Sequence, residues 1–596
     1  MAPSMKAAAR NYLPPQLAEQ PSLDPPRSSS RLSSVLKVAT LGVLGACYYF
    51  SHDILNLLPR QHHLSVSVSA SAPQLCPQVE PIAPRTQDSL AEALDAYLLS
   101  AEGSEWAIES LAGAVRVPTQ TFDDIKAPGE DSRWNIFQDL HDFFGERFPL
   151  VNSKLEVNKI NEWGLVYRWQ GSDESLKPLV FAAHLDVVPV NIETWDEWIH
   201  PPFSGFFDGK HIWGRGSCDD KAQLVGTIAA VELLLQKGYK PTRSIVLAYG
   251  FDEERGGFHG AQNIAKFLLE KYGKDGLALI LDEGGEYDIR DNVVIAAPSV
   301  AEKGATNVNV EVTTPGGHSS VPPTHTGIGY LARVVAALED NPYPTSLKRD
   351  GTYFRSLQCA AAYDDSLPDD LRELVAAAST DDEALIETEK ALLERDERTF
   401  RAYAGTTQAV DIIHGGVKSN ALPERAYAIV NHRVAEYSSV PETRARYAKI
   451  LAPLAEKLNL TLDTFGTLHG ANGPAKGHII VSDGGFGLEP APVSPTDGSG
   501  AWELLSGTIL SSLGTSIRDE IVDKRVVVAP GIMVANSDTK WYWSLTKNIF
   551  RYNHIGVTDR YNGLHTVNEA VKADGYIEGI RFYARLILNS DDTDLL

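Results

Sequence analysis

Between residues 164 and 281 the chain alternates short β-prone runs with helical ones, and no other feature of the sequence restricts the fold as much. The runs are GLVYRW at 164–169, PLVFAA at 178–183, SIVLAY at 244–249 and LALIL at 277–281, each apolar and rich in β-branched or aromatic residues. Helical patterning separates them at 222–236 and 261–272. That alternation predicts an α/β sheet. In such sheets chemistry collects where strands end and loops begin. His184, Asp219, Glu253 and the Asp282-Glu283 pair each lie near or just past a predicted strand end, so residues distant in sequence are expected to converge.

The chain's 596 residues suit three or four domains by length, or one large α/β catalytic domain carrying an insertion. A net charge of -24 argues against nucleic acid or an anionic membrane surface as partner, because both need a positive face. Four cysteines are too few and too scattered for a disulfide framework. Cys47 lies in an apolar run and Cys218 inside a polar motif. Cys76 and Cys359 could pair in an oxidising lumen, a bond the pattern does not favour.

Residues 1–34 are rich in Pro, Ser and Ala, with Arg27 and Arg31, and are expected to be a disordered tail. Residues 35–58 then contain the apolar run VLKVATLGVLGACYYF. It is short against the roughly 20 residues a bilayer core takes. We read it as an uncleaved transmembrane signal anchor with the basic tail in the cytosol, ahead of a cleaved signal peptide or a core helix. A Ser- and Pro-rich linker follows over 59–87. The folded body is expected from residue 88, with helices over 91–108 and 132–148.

The chemistry centres on GRGSCDDK at 214–221. A glycine-flanked carboxylate pair packs poorly and binds metal well, and Asp219 reads as a bridge between two metal ions. His184 supplies an imidazole, and Asp186 two residues on would accept the other ring N–H and fix the tautomer. His-x-Asp alone arises by chance. The Glu253-Glu254 pair carries more information, since two adjacent carboxylates after an apolar strand repel unless a cation or a proton resolves them. One can bind metal while the other acts as general base. Read alone, DEE would be an exposed acidic turn.

The set HLDVVP, GRGSCDDK, DEE, LDEGG, GGHSS and LHTVNE resembles that of the co-catalytic zinc exopeptidases, the family that includes aminoacylase and the glutamate-releasing carboxypeptidases. The resemblance covers about residues 90–590. It implies a zinc-exopeptidase-like α/β catalytic domain over 88–302 and 466–596, with an inserted α+β lid over 303–465 that serves dimerisation. It implies two zinc ions, held by His184, Asp219, Glu254 and His565, with Asp219 bridging and Glu253 as general base. Asp282 and Glu283 stand side by side, and one of them is the remaining ligand. His554 competes with His565, but His565 has the family context His-x-x-x-Glu569 and is expected to begin a terminal helix. Cys218 becomes a small buried neighbour.

The same resemblance assigns His318 of GGHSS to the oxyanion, and Asn420 and Arg433 to substrate. In several relatives that histidine comes from a partner's lid, which implies a homodimer. Residues 364–398 are acidic and helical in pattern, a solvated face rather than a site, and Asn459-Leu460-Thr461 is a glycosylation sequon. The length and N-terminal run look most like the vacuolar fungal carboxypeptidases of the family, which implies a type II membrane protein with a lumenal body. The expected activity is release of C-terminal residues from short peptides and N-blocked dipeptides. The alternatives are an N-acyl amino acid amidohydrolase acting on substrates with a free carboxylate and, further off, a membrane-anchored binding protein without chemistry; Glu253 beside a full ligand set speaks against the last.

Overall fold

The computed structural model describes residues 75–470 and 473–596. The expected tail, the anchor over 35–58 and most of the linker lie outside the described residues. Among those described, no helix is long and apolar enough to cross a membrane.

The predicted strands form the middle of a ten-stranded sheet. Its main order is Glu156–Ile160, Gly164–Trp169, Ile245–Gly250, Leu179–His184, Leu279–Ile289, Ile549–Gly556, Ser299–Glu302 and Gly531–Met533; Val293–Ala296 pairs with Leu279–Ile289 and Arg525–Val528. Leu179–His184 runs parallel to both Ile245–Gly250 and Leu279–Ile289, and the latter is parallel to Ile549–Gly556. Every residue of Leu179–His184 and of Ile245–Gly250 is buried, as a strand covered on both faces requires. The cover on one side includes Lys221–Gln236 and Ala573–Asp592, whose buried residues join Leu111, Phe181, Tyr249 and Phe550 in the largest core cluster. On the other side Ala261–Tyr272 contributes Ile264 and Leu268 to a second core with Val180, Val246 and Ile280.

The lid sheet has six strands in the order Thr407–Gly415, Arg425–Val434, Gly304–Thr313, His478–Leu488, Thr461–Thr464 and Thr467–His469. Two of these strands lie beyond the expected boundary. His478–Leu488 pairs with Gly304–Thr313 over most of its length, so the lid sheet continues past residue 465 and takes in part of the stretch assigned to the second catalytic segment. Burial alternates along Arg425–Val434, with Ala426, Ala428 and Val430 packed beneath Gly327–Glu339 and Val440–Leu458. Asn431 and Arg433 therefore lie on the face turned away from those helices.

Between the lid's strands sits a helical insert, Thr352–Tyr363, Asp369–Ala377 and Asp382–Ala404, with its own small core around Phe354, Val375 and Phe400. The acidic stretch here is largely exposed, but Asp364 is buried and pairs with Arg290. Cys76 and Cys359 are joined in a disulfide, against the expectation that they stay apart. Spacing could not show this, because 283 residues separate them and only the folded body brings the start of the described chain against the insert. Beside the bond, Gln78 exchanges two hydrogen bonds with the backbone of Val528, at 3.0 and 2.7 Å.

Candidate active site

The parallel strands end on one side of the sheet, and the predicted residues meet there. His184 is the last residue of its strand; its Nε2 lies 3.1 Å from Asp219 Oδ1 and 3.7 Å from Glu283 Oε2. The other carboxylate oxygen of Asp219 is 3.0 Å from His565 Nε2, which is 3.3 Å from Glu254 Oε2. Two donor triads thus share one carboxylate: His184, Asp219 and Glu283 on one side, Asp219, Glu254 and His565 on the other, with the donor atoms of each within 4.8 Å of one another. Imidazole and carboxylate donors on both sides of a shared carboxylate suit two divalent cations. Asp282 belongs to neither triad. Neighbours on a strand point to opposite faces, so only one of the Asp282-Glu283 pair can face His184.

The electrostatics fit the same occupancy. Burial, reinforced by Glu283, pushes the Glu253 carboxyl well above its usual range, and burial also raises Glu254. Asp282 is pushed up to about 6 and Glu283 to about 7, both mainly by burial. Burial alone would lower the His184 imidazole, but Glu283, Asp186 and Asp219 around it drive it well above its ordinary value. Buried Glu254 Oε1, Asp282 Oδ2 and both oxygens of Asp220 and Asp538 have no hydrogen-bond partner in the described structure. So much unpaired buried carboxylate is what bound cations neutralise.

The buried Asp186 binds the site together. Its oxygens accept the backbone N–H groups of Glu253 and Glu254 at 3.0 and 3.2 Å and the Thr121 hydroxyl at 2.8 Å, while His184 Nδ1 faces its backbone oxygen at 3.0 Å and its Oδ1 at 3.3 Å. One carboxylate therefore fixes the His184 ring and the turn that carries both glutamates. Glu253 itself lies outside both triads, with its Oε1 4.0 Å from Lys540 Nζ.

Glu569 does comparable work for the Asp219 turn, a role its sequence context did not reveal. Fully buried, it accepts from Arg215 Nη1 at 2.6 Å, from Cys218 N–H at 2.9 Å and from Asp219 N–H at 3.3 Å. The turn passes so close to Val187 that a Cβ on Gly216, whose φ is +84°, would lie 2.4 Å from the valine Cγ1. Cys218 is buried with Sγ toward the Ala570 carbonyl, outside both triads. His565 does not begin a helix as expected. It sits half-exposed in a turn at φ 60°, and the terminal helix starts at Ala573. Its rival His554 is buried and stacked on Phe582 at 4.2 Å, away from the triads.

The run ANSDTK at 535–540, which resembles a substrate-side loop in relatives, also borders the site through Asp538 and Lys540, though the sequence assigned neither a role. Asp538 is buried against Gly257, where a Cβ would lie 2.1 Å from Asp538 Oδ1. Of the lid residues, Arg433 reaches this region: Nη1 donates to Asn536 Oδ1 at 2.6 Å, and that is its one hydrogen-bond partner among the described residues. His318 and Asn420 remain apart from the triads. His318 lies on an exposed two-stranded ribbon opposite Ala421, with Nδ1 2.6 Å from the Ser320 hydroxyl, and the Asn420 carbonyl accepts from Ser319 N–H at 3.3 Å.

Residues 180–589 match the model of peptidase family M20/M25/M40. The chain is 39% identical over 524 residues to carboxypeptidase S of Saccharomyces cerevisiae, covering 87% of this chain and 89% of that one. It is 32% identical over 493 residues to an N-fatty-acyl-amino acid synthase/hydrolase of Homo sapiens, covering 81% and 87%. A metallo-carboxypeptidase of Sulfolobus solfataricus shares the fold at a TM-score of 0.55 and 18% identity, covering 82% of this chain and 99% of the other. The family match spans most of the chain and both donor triads: the protein belongs to peptidase family M20/M25/M40.

Proposed function

We propose that this protein is a two-zinc carboxypeptidase that releases C-terminal residues from short peptides and N-blocked dipeptides. The observation that carries the reading is the pair of triads sharing Asp219, with Glu253 beside them and in neither. His184 and Glu283 would hold one ion, Glu254 and His565 the other, and Asp219 both. When bound, the ions supply Lewis acidity at the scissile carbonyl. Glu253 takes the proton of the attacking water and returns it to the leaving amine nitrogen. Asp186 keeps the His184 tautomer and the Glu253 backbone in place. Arg433, with most of its planar fork uncommitted, pairs with the substrate's free carboxylate, and Asn420 assists from the lid. His318 is exposed in its own chain, so an oxyanion role fits a homodimer in which it serves the partner's site.

Amidating the C-terminus of a good peptide substrate is expected to lower kcat/KM by about a hundredfold or more, because the paired charged hydrogen bonds are lost. Acylating the N-terminus should leave cleavage intact. A requirement for a free amine would overturn the reading, and a preference for fatty-acyl amino acids over peptides would turn it toward an amidohydrolase.

We place the body in the vacuolar lumen, behind an anchor in residues 35–58. The disulfide supports an oxidising compartment, since such bonds are rare where glutathione keeps thiols reduced. Full-length protein should resist carbonate extraction and run differently with and without reductant. Release into the supernatant with residues 35–58 intact would exclude the anchor.

A further inference from the structure

The Asn536 side chain is fixed in one orientation. Its Nδ2 donates to Glu302 Oε1 at 3.0 Å and to the Lys303 carbonyl at 2.6 Å, leaving Oδ1 as the acceptor for Arg433 Nη1 at 2.6 Å. Turning the amide over would set N–H groups against the guanidinium and an oxygen against the carboxylate and carbonyl. Glu302 is itself immobilised: it pairs with Arg551 Nε at 2.7 Å and accepts from Ser537 N–H at 3.0 Å and the Thr539 hydroxyl at 2.8 Å, all of them buried. Glu302 and Lys303 are the last residues before Gly304–Thr313, the lid's first strand.

The same loop carries Lys540, whose Nζ faces Glu253 Oε1 at 4.0 Å. Three residues of rigid loop, Ser537 to Thr539, therefore separate the group that grips Arg433 from the group that faces Glu253. Arg433 reaches this loop from the lid strand Arg425–Val434, whereas the glutamate sits in the turn that follows Ile245–Gly250 of the larger sheet, so their spacing depends on what joins the two. We propose that Asn536 is the positioning residue for Arg433, setting the distance between the guanidinium and Glu253 and thereby the number of atoms allowed between a substrate's carboxylate and its scissile bond. This rests on Arg433 reading the carboxylate, and the test separates the two ideas.

Asn536→Ala should raise KM for an N-blocked dipeptide about ten- to a hundredfold, the value of a hydrogen bond to a charged group, with a smaller effect on kcat. Its metal content and melting temperature should match those of the parent. In an Arg433→Ala background the same substitution should add almost nothing, since a double-mutant cycle detects only what the two residues do together. A purely structural role would instead give additive losses, and additivity would overturn the proposal. If Arg433→Ala leaves KM unchanged, the reading of Arg433 fails and takes the proposal with it. If Arg433→Ala raises KM and Asn536→Ala does not, the proposal alone fails. Should the alanine variant not fold, Asn536→Ser supports the same cycle: its hydroxyl can still donate to Glu302 but is too short to hold Arg433 as well, so KM should rise, and an unchanged KM would overturn the proposal.

Discussion

Replacing Glu253 by glutamine lowers kcat by about a hundred- to ten-thousandfold, the range for loss of a positioned general base, while both metal ions stay bound. Metal is expected to stay because Glu253 contributes no oxygen to either triad. The fold around it is expected to stay because the turn is held through the backbone N–H groups of Glu253 and Glu254 on Asp186, which the substitution does not touch. Glutamine also removes a carboxylate from a crowded buried set, so the variant should be no less stable than the parent. Metal content and turnover measured on one preparation decide the matter. Near-normal turnover would remove Glu253 from the chemistry, and loss of metal would make it a ligand.

Glu569→Ala should produce the largest loss of stability of any single change at this site, about 3–5 kcal/mol, together with loss of metal. Removing one partner of a buried ion pair leaves the other uncompensated, which costs that much. Here the stranded group is Arg215, 4% exposed, and the backbone N–H groups of Cys218 and Asp219 lose their acceptor as well. The Asp219 turn then loses the side-chain acceptor that fixes it where both triads need it. Urea melts and metal analysis of the purified variant test this. Parent-like stability with both metals bound would mean that the turn holds its own shape.

Strand positions were legible because buried strands must be apolar along their whole length, as PLVFAA and SIVLAY are. The residues of the two donor triads were legible because His184, Asp219 and Glu254 each follow such a run or a glycine turn, and placing Glu283 rather than Asp282 beside His184 needed only the strand's two-residue period in its true register. Glu569 was seen as context for His565 rather than as the acceptor for Arg215, since 354 residues separate that pair. The side-chain role of Asn536 was unreadable for a related reason: its three partners are Glu302 and Lys303, just before the lid's first strand, and Arg433 on the lid, and nothing local marks an asparagine whose amide is committed on both sides. The lid's extent was misjudged because His478–Leu488 returns to the sheet after Val440–Leu458 and the antiparallel pair Thr461–Thr464 and Thr467–His469, a crossing that periodicity cannot show.

The bond between Cys76 and Cys359 closes a ring of chain that contains the Lys221–Gln236 helix, four of the five residues in the triads and the lid's first strand. On the chain-entropy account, cross-linking so long a loop removes roughly 5 kcal/mol of freedom from the unfolded ensemble. The first described cysteine must therefore wait, during synthesis, for its partner to be made before that ring can close. Once closed, a protease that nicks an exposed segment anywhere between the two cysteines leaves both fragments covalently joined, and the cut chain keeps its halves at a fixed, high local concentration.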